Sequence, residues 1–146
     1  MKKILNYWYK IKNIGKHKNL SLYETKVLSN INAASFIFLL VSFAYAVLNF
    51  FQGRPLLTGI NLCISINLFA VLVLNHHRKY NIAKVLLLFF NAFLLTLAGF
   101  IYKNQSELYL LSVLIAITML YRNKIIQILS LVILSAIFLI IKFVPY

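Results

Sequence analysis

Few residues of this chain have side chains that could do chemistry. The sequence holds two carboxylates, Glu24 and Glu107, no Asp, three histidines and one cysteine, Cys63. Acid–base catalysis and proton transfer need carboxylates or histidines that converge, and a nucleophile needs a base beside it. The sequence contains no pair of acids that could bind a metal or share a proton, no His-Glu-x-x-His motif and no Gly-rich phosphate loop. We therefore expect no enzyme activity, no cofactor and no metal site.

Neutral polar residues could do a different chemistry, which is hydrogen bonding in an apolar environment. Side chains of this kind stand inside the long apolar runs of the sequence, and the ones that we single out are Thr58, Asn61, Ser65, Asn67 and Asn91. In lipid, a hydrogen bond between helices contributes roughly 0.6 to 2 kcal/mol. Two interpretations stay open: these groups join helices, or Asn61, Asn67 and Asn91 line a small polar cavity that binds a ligand or carries a rearrangement.

A further polar pattern concerns the start of a helix. Ser21 and Glu24 have the spacing of a capping box, in which each side chain accepts a hydrogen bond from the backbone amide of the other residue. The pattern predicts that the first long helix begins here, about two turns before its apolar part. We interpret Glu24 as a helix cap, with a functional contact as the alternative.

The elements that carry these residues are five apolar runs. They are Ile31–Phe51, Leu56–Leu74, Ile82–Tyr102, Leu108–Tyr121 and Ile125–Phe143. Four of them hold 19 to 21 residues, the length that an α-helix needs to cross a hydrocarbon core of about 30 Å. The remaining run has 14 residues, and it becomes a short span when it is extended to residues 105–123.

These runs predict an all-α fold, a polytopic transmembrane helical bundle with five spans. The spans lie near residues 31–51, 56–74, 82–102, 105–123 and 125–143. Residues 1–29 form a basic, aromatic juxtamembrane segment, and residues 30–146 form the transmembrane domain. The composition agrees, because 62% of the residues are hydrophobic and only 12% are charged, whereas about a quarter are charged in an ordinary soluble domain.

The distribution of Lys and Arg predicts the orientation, because basic residues in short loops are retained on the cytoplasmic side. If the N-terminus is cytoplasmic, twelve of the fifteen basic residues lie inside, namely Lys2, Lys3, Lys10, Lys12, Lys16, Lys18, Lys26, Arg78, Lys79, Lys84, Arg122 and Lys124. We therefore expect a multi-pass protein of the bacterial cytoplasmic membrane, with a cytoplasmic N-terminus.

The net charge of +13 does not indicate nucleic acid, since most of the cations flank membrane spans. Part of it could attract anionic lipids. Ile4, Leu5, Trp8 and Ile11 fall near helical spacing among lysines, as in a helix that lies in the membrane interface. The expected lipid contacts are Lys2, Lys3, Trp8, Lys10 and Lys12.

Three stretches of the sequence resemble the membrane anchors of a bacterial signalling family. They are Glu24–Phe51, which opens with Glu-Thr-Lys-Val-Leu-Ser-Asn, the basic loop and helix entry Asn75–Leu88, and Ser106–Leu111 at the start of the fourth run. Over about residues 20–143, these hydropathy and loop patterns look similar to the N-terminal six-helix membrane domain of Bacteroidetes-type adenylate or guanylate cyclases and sensor histidine kinases.

That resemblance implies six transmembrane helices, a cytoplasmic effector domain after the last helix, and a dimer. This sequence has five predicted spans and no effector domain, so we expect an incomplete membrane portion of a larger signalling protein. The first hypothesis is a non-catalytic membrane sensor or transducer module that acts on a cytoplasmic effector domain or partner. The alternative is a stand-alone small membrane protein that acts by oligomerisation, as a pore-forming protein or as an accessory or stress effector. An uncoupled carrier is disfavoured because the spans show no internal repeat.

Overall fold

The structure is a computed structural model that describes residues 2–102, 108–121 and 123–143. Every regular element in that part of the chain is helical. In chain order the elements are α1 (Lys2–Lys12), α2 (Leu22–Phe51), α3 (Pro55–His76), α4 (Tyr80–Val85), a π-helical segment (Leu86–Phe90), α5 (Asn91–Tyr102), α6 (Leu108–Leu120) and α7 (Lys124–Phe143). The chain divides into two compact units, Met1–Leu87 and Leu88–Tyr146.

The start of α2 is set by local hydrogen bonds. The Glu24 amide donates to Ser21 Oγ at 3.2 Å, and the Ser21 amide donates to Glu24 Oε2 at 2.9 Å. These two bonds satisfy amides that the first turn of a helix leaves without partners. The helix therefore begins at Leu22, before the apolar run that starts at Ile31, and it continues through residue 30 without a break.

The centre of the first unit is an antiparallel hairpin of α2 and α3. The turn between them uses a left-handed backbone at Gly53, with φ of 67°, and Pro55 occupies the first position of α3, where its missing amide hydrogen has no helical partner to lose. One face of α3 packs against α2, because its buried apolar residues recur every three or four positions. These residues are Leu57, Ile60, Ile64, Leu68, Val71 and Leu72.

The N-terminal helix α1 lies against this hairpin. The Trp8 ring packs on the Phe36 ring of α2, with 6.4 Å between the ring centroids. Residues 13–21 then connect α1 to the start of α2. The short helix α4 contacts α3, and the fully buried Ala83 has no side chain beyond Cβ to obstruct that contact.

The third apolar helix changes its hydrogen-bond pattern at Leu86–Phe90. A π-helical turn carries an extra residue, so its backbone bonds differ from those of the α-helix on either side. Asn67 Nδ2, from α3, donates to the Leu86 carbonyl at 2.9 Å. This side-chain donor gives the Leu86 carbonyl a partner at the point where the regular pattern ends.

The second unit packs α5, α6 and α7 around an apolar cluster. Its buried members are Leu88, Ala92, Leu110, Ile117, Leu134 and Ile141. The connection from α6 to α7 is closed by polar side chains: Gln127 Nε2 donates to the Tyr121 carbonyl at 2.6 Å, and the Ile125 amide donates to Asn123 Oδ1 at 2.9 Å. These bonds satisfy backbone groups at one helix end and at the next helix start.

Within the described residues, four helical stretches are long and apolar enough to cross a membrane. They are Leu22–Phe51, Pro55–His76, Tyr80–Ile101 and Lys124–Phe143. Their outer faces carry large exposed apolar side chains such as Phe38, Phe69 and Ile133, which a bilayer would cover. This is the pattern of a multi-pass membrane protein.

The predicted span at residues 105–123 is not supported. Only Leu108–Leu120 is described as a helix there, and its 13 residues extend about 20 Å, which is less than the hydrocarbon core of about 30 Å. Residues 103–107, with Glu107, and Arg122 lie outside the described part of the chain. The structure thus supports four apolar membrane helices of the five predicted.

Candidate functional site

The most deeply buried polar contact of the first unit joins two asparagines from different helices. Asn75 Nδ2, at the end of α3, donates to Asn32 Oδ1, in α2, at 2.8 Å. Both side chains are completely buried. An amide in that position needs partners, because burying one without a hydrogen bond costs about 1–3 kcal/mol.

The side-chain nitrogen of Asn32 binds the N-terminal segment. Asn32 Nδ2 donates to the Ile14 carbonyl at 2.9 Å and to the Lys12 carbonyl at 3.3 Å. Both carbonyls belong to the stretch where α1 ends and the connection to α2 begins. One side chain in α2 therefore ties the end of α1 to the end of α3.

Tyr80 adds a third attachment. Its hydroxyl donates to the Gly15 carbonyl at 2.6 Å, and its ring lies 6.3 Å from the His17 ring, between centroids. Tyr80 is the first residue of α4, so the loop after α1 is held by α2 and by α4. We call this set of residues the latch: Lys12, Ile14, Gly15, Asn32, Asn75 and Tyr80.

Gly15 is required by the close approach of two backbones. Its φ is 75°, a left-handed conformation that side chains disfavour. A Cβ atom at this position would also collide with the Asn75 carbonyl oxygen. The loop can reach the end of α3 only because residue 15 has no side chain.

The latch lies where three apolar helices reach the same end of the first unit. Asn32 is near the start of the apolar part of α2, Asn75 is near the end of α3, and Tyr80 opens α4. Basic residues are concentrated in the neighbouring sequence, including Lys16, Lys18, Lys26, Arg78, Lys79 and Lys84. The latch therefore joins a strongly basic segment to the ends of the apolar helices.

The hydrogen bonding of the latch is incomplete. Asn75 Oδ1 and Ser35 Oγ are buried without a hydrogen-bond partner in the described part of the chain. A buried network that is only partly satisfied is less stable than a complete one. These two oxygens therefore destabilise the docked arrangement. Water would hydrate them once the N-terminal segment undocks.

Three of the polar residues singled out from the sequence bond within their own helix. Thr58 Oγ1 donates to the Arg54 carbonyl at 3.0 Å, and Asn61 Nδ2 and Ser65 Oγ donate to the Leu57 and Asn61 carbonyls, each at 2.9 Å. The sequence predicted bonds to other helices or a polar cavity. A short polar side chain can instead reach the carbonyl one turn earlier, and this contact satisfies its donor without a second helix.

The other predicted residues are distributed differently. Asn67 makes the contact from α3 to Leu86, and Asn91 is buried in the second unit. On α1, Trp8 is half-buried against Phe36, and Lys10 is exposed with its ammonium 6.0 Å from the centre of the Tyr7 ring. The side chains of Lys2 and Lys3 lie outside the described part of the chain, and Lys12 enters the latch through its carbonyl.

The sequence did not predict that Asn32, Asn75, Gly15 and Tyr80 form one site. Two signals were present in the sequence. An Asn comes directly after the first residue of an apolar run, and one of the four glycines of the chain lies in a basic loop. Neither signal indicates a partner, because the residues that meet are separated by up to 65 positions.

Comparison with models of known protein families, with curated proteins and with solved structures finds no match to this chain.

Replacing Asn32 tests whether the latch holds α1. The change Asn32→Ala removes the acceptor of Asn75 and the donor to the Lys12 and Ile14 carbonyls, so we expect the unfolding free energy to fall by about 1–3 kcal/mol. Trp8 is the only tryptophan of the chain, and quenching of its fluorescence by acrylamide should increase as α1 undocks.

Asn49→Ala is the matched control for this substitution. Asn49 is in the same helix, but its amide donates to the carbonyl of Tyr45 in that helix. Trp8 quenching should therefore stay at the level of the unchanged protein. Equal quenching of the Asn32 and Asn49 variants would show that the latch does not hold α1.

A substitution at Gly15 tests the close approach of the loop to α3. Gly15→Ala places a methyl group against the Asn75 carbonyl in a left-handed backbone, so we expect undocking of α1 and faster proteolysis within residues 13–20. Gly59→Ala is the control, because a Cβ atom there meets nothing within 4 Å and alanine favours a helix by up to about 1 kcal/mol. Unchanged proteolysis of the Gly15 variant would contradict the steric argument.

Proposed function

We propose that this chain is a non-catalytic membrane sensor or transducer module, which couples the docking of its N-terminal segment to the packing of its membrane helices. The observation that carries the proposal is the Asn32–Asn75 contact, with its bonds to the Lys12 and Ile14 carbonyls. A transducer needs two packings that differ in their response to a stimulus. The docked latch is one packing, and the undocked segment is the other.

The buried amides favour a discrete change over a gradual one. Asn32 holds the loop and Asn75 with the same side chain, so loss of the loop breaks both bonds from its amide nitrogen to the Lys12 and Ile14 carbonyls together. The orphaned Asn75 Oδ1 opposes the docked packing. Opposing terms of similar size, each about 1–3 kcal/mol, are what allow a modest stimulus to shift the population between two states.

The surface of α1 supports anionic lipid as one such stimulus. Ile4 and Leu5 are 74% and 60% exposed, and Lys10 lies on the same short helix. Apolar and basic residues on one helix favour binding in the interface of an anionic membrane, where each lysine contributes about 1 kcal/mol. Binding of α1 to the bilayer would compete with its docking on α2.

The topology that we propose for this function follows the distribution of basic residues. It has a cytoplasmic N-terminus in a bacterial cytoplasmic membrane and a fifth span at residues 105–123. The homodimer that we propose as the working unit is what the resemblance to the signalling family implies. The cytoplasmic partner would be an effector domain of the kind found in the signalling family that the sequence resembles. In this arrangement the latch faces the cytoplasm, together with the basic loop that holds Arg78 and Lys79.

The alternative function, assembly into an oligomer, is favoured by a different observation. In α7 the apolar side chains are mostly exposed, including Ile128, Leu129, Val132, Ile133, Leu139 and Ile140. Other copies of the chain could cover that face in a pore or in an accessory complex. Lipid would cover it equally well in a transducer.

An effector fusion tests the transducer proposal. A sixth helix and an adenylate cyclase domain joined after residue 143 should give cyclic AMP output in cells that lack their own cyclase. Asn32→Ala should change that output by about fivefold or more, the lower end of ordinary coupling between sites, while Asn49→Ala leaves it unchanged. Output that responds to neither variant would contradict the proposal.

Liposome leakage distinguishes the alternative. If the chain forms pores, the purified protein should release trapped ions at a rate that rises steeply with the ratio of protein to lipid, as an oligomer requires. A transducer should leave the liposomes tight at every ratio. Leakage that persists in a variant with two α7 leucines changed, Leu129→Ala and Leu139→Ala, would argue against assembly through that face.

A further inference from the structure

A small pocket lies beside the latch in the first unit. Its volume is about 90 Å³, and it is lined by Leu20, Tyr23, Glu24, Val27, Leu28, Ile31, Tyr80, Asn81 and Lys84. This is well below the roughly 300–1,000 Å³ of sites for drug-sized ligands. The pocket has room for a small polar group, such as part of a headgroup.

The pocket has an apolar floor and a charged rim. Val27, Leu28 and Ile31 are buried and form the floor, whereas Glu24 and Lys84 supply one charge of each sign. Glu24 Oε2 accepts from the Ser21 amide, and no donor in the described part of the chain engages the other carboxylate oxygen. Within the described residues, no ion pair joins Glu24 to Lys84. Both charged side chains are therefore available to bind a ligand.

The charge state of Glu24 suits this role. Glu24 lies before the apolar run of α2, and the hydrogen bonds from Ser21, backbone first, hold the pKa of its carboxyl below the ordinary value, with a smaller contribution from Lys84. The group is therefore a carboxylate at neutral pH. It can pair with an ammonium group that donates hydrogen bonds.

The position of the pocket along the helices indicates where its ligand comes from. Glu24 stands about 10 Å along α2 from Ile31, where the apolar run begins. Lys84 stands between Ile82 and Val85 at the start of the third run. The polar rim and the apolar floor thus follow the change from headgroup to hydrocarbon in a bilayer.

We propose that this pocket binds the headgroup of an amine-bearing phospholipid, with the ethanolamine ammonium at Glu24 and the phosphodiester at Lys84. The two charges of the rim match the two charges of this headgroup, and the apolar floor matches the two methylene groups of the ethanolamine, so the glycerol and the acyl chains stay outside the pocket. Phosphatidylcholine fits the pocket less well, because its quaternary ammonium has no N–H to donate to the carboxylate.

The pocket shares a residue with the latch, and the proposal therefore rests on the proposed function. Tyr80 lines the pocket, and its hydroxyl donates to the Gly15 carbonyl. Leu20 also lines the pocket, and it belongs to the loop that the latch restrains. A bound headgroup would hold Leu20 and Tyr80 in their docked positions, so the lipid would stabilise the docked latch.

Native mass spectrometry of the full chain tests lipid selection. The protein is reconstituted in vesicles that contain equal amounts of phosphatidylcholine and phosphatidylethanolamine, and the retained lipids are counted. We expect phosphatidylethanolamine to be retained about tenfold over phosphatidylcholine, the ratio that one charge-assisted hydrogen bond can supply. Glu24→Gln should reduce this ratio to about one while keeping the helix cap, since Gln also serves in a capping box.

Matched variants complete the test. Lys84→Gln should lower the amount of both lipids that is retained, because both carry the phosphodiester, whereas Lys79→Gln should leave that amount unchanged, because Lys79 is exposed and does not line the pocket. Equal retention of the two lipids, or a preference that survives Glu24→Gln, would overturn the proposal. Displacement by soluble glycerophosphoethanolamine as effective as the lipid itself would overturn the assignment to a membrane lipid.

Trp8 fluorescence separates this proposal from the proposed function. Phosphatidylethanolamine should lower acrylamide quenching of Trp8 in the unchanged protein and have no such effect in the Glu24→Gln variant. Selective retention without a change in quenching would uphold the pocket and contradict its coupling to the latch. Loss of selectivity, with the effector fusion still sensitive to Asn32→Ala, would contradict the pocket and support the transducer.

Discussion

The first unit depends on one requirement, that a polar group taken out of water needs a hydrogen-bond partner. Asn32 stands at the start of an apolar stretch and is completely buried. Its amide meets the requirement with Asn75 on one side and with the Lys12 and Ile14 carbonyls on the other. The position of the loop after α1 follows from those bonds. The need for a glycine at position 15 follows in turn, because the docked loop passes directly over the end of α3.

The function that we propose uses the same requirement. Within the described residues, the buried polar side chains are neutral amides and hydroxyls. Such groups cannot carry protons between sites, but they can hold one packing against another. The latch joins the basic N-terminal segment to the ends of three apolar helices, and Tyr80 connects it to a pocket of mixed charge. In the function that we propose, these contacts link lipid composition to helix packing.

Much of the secondary structure could be predicted from the sequence. The capping box at Ser21 and Glu24 predicts the start of α2, and the structure contains both of its hydrogen bonds. The apolar runs predict four helices that the structure describes at full membrane length. The short run predicts a span only when it is extended to residues 105–123, and the described helix covers only Leu108–Leu120. Thr58, Asn61 and Ser65 were expected to reach other helices, yet their donors are satisfied one turn away.

The sequence by itself determined the features that local physics controls: helix starts, apolar length and the excess of basic residues. Each of these depends on neighbours within a few positions or on composition. Only the tertiary structure decided that Asn32 meets Asn75, that Gly15 lies against α3 and that Tyr80 serves both the latch and the pocket. Those contacts join residues 43 to 65 positions apart. The sequence does not indicate which residue an Asn or a Gly will contact. A hydrogen bond or a close approach between distant residues is decided only when packing brings the two groups together.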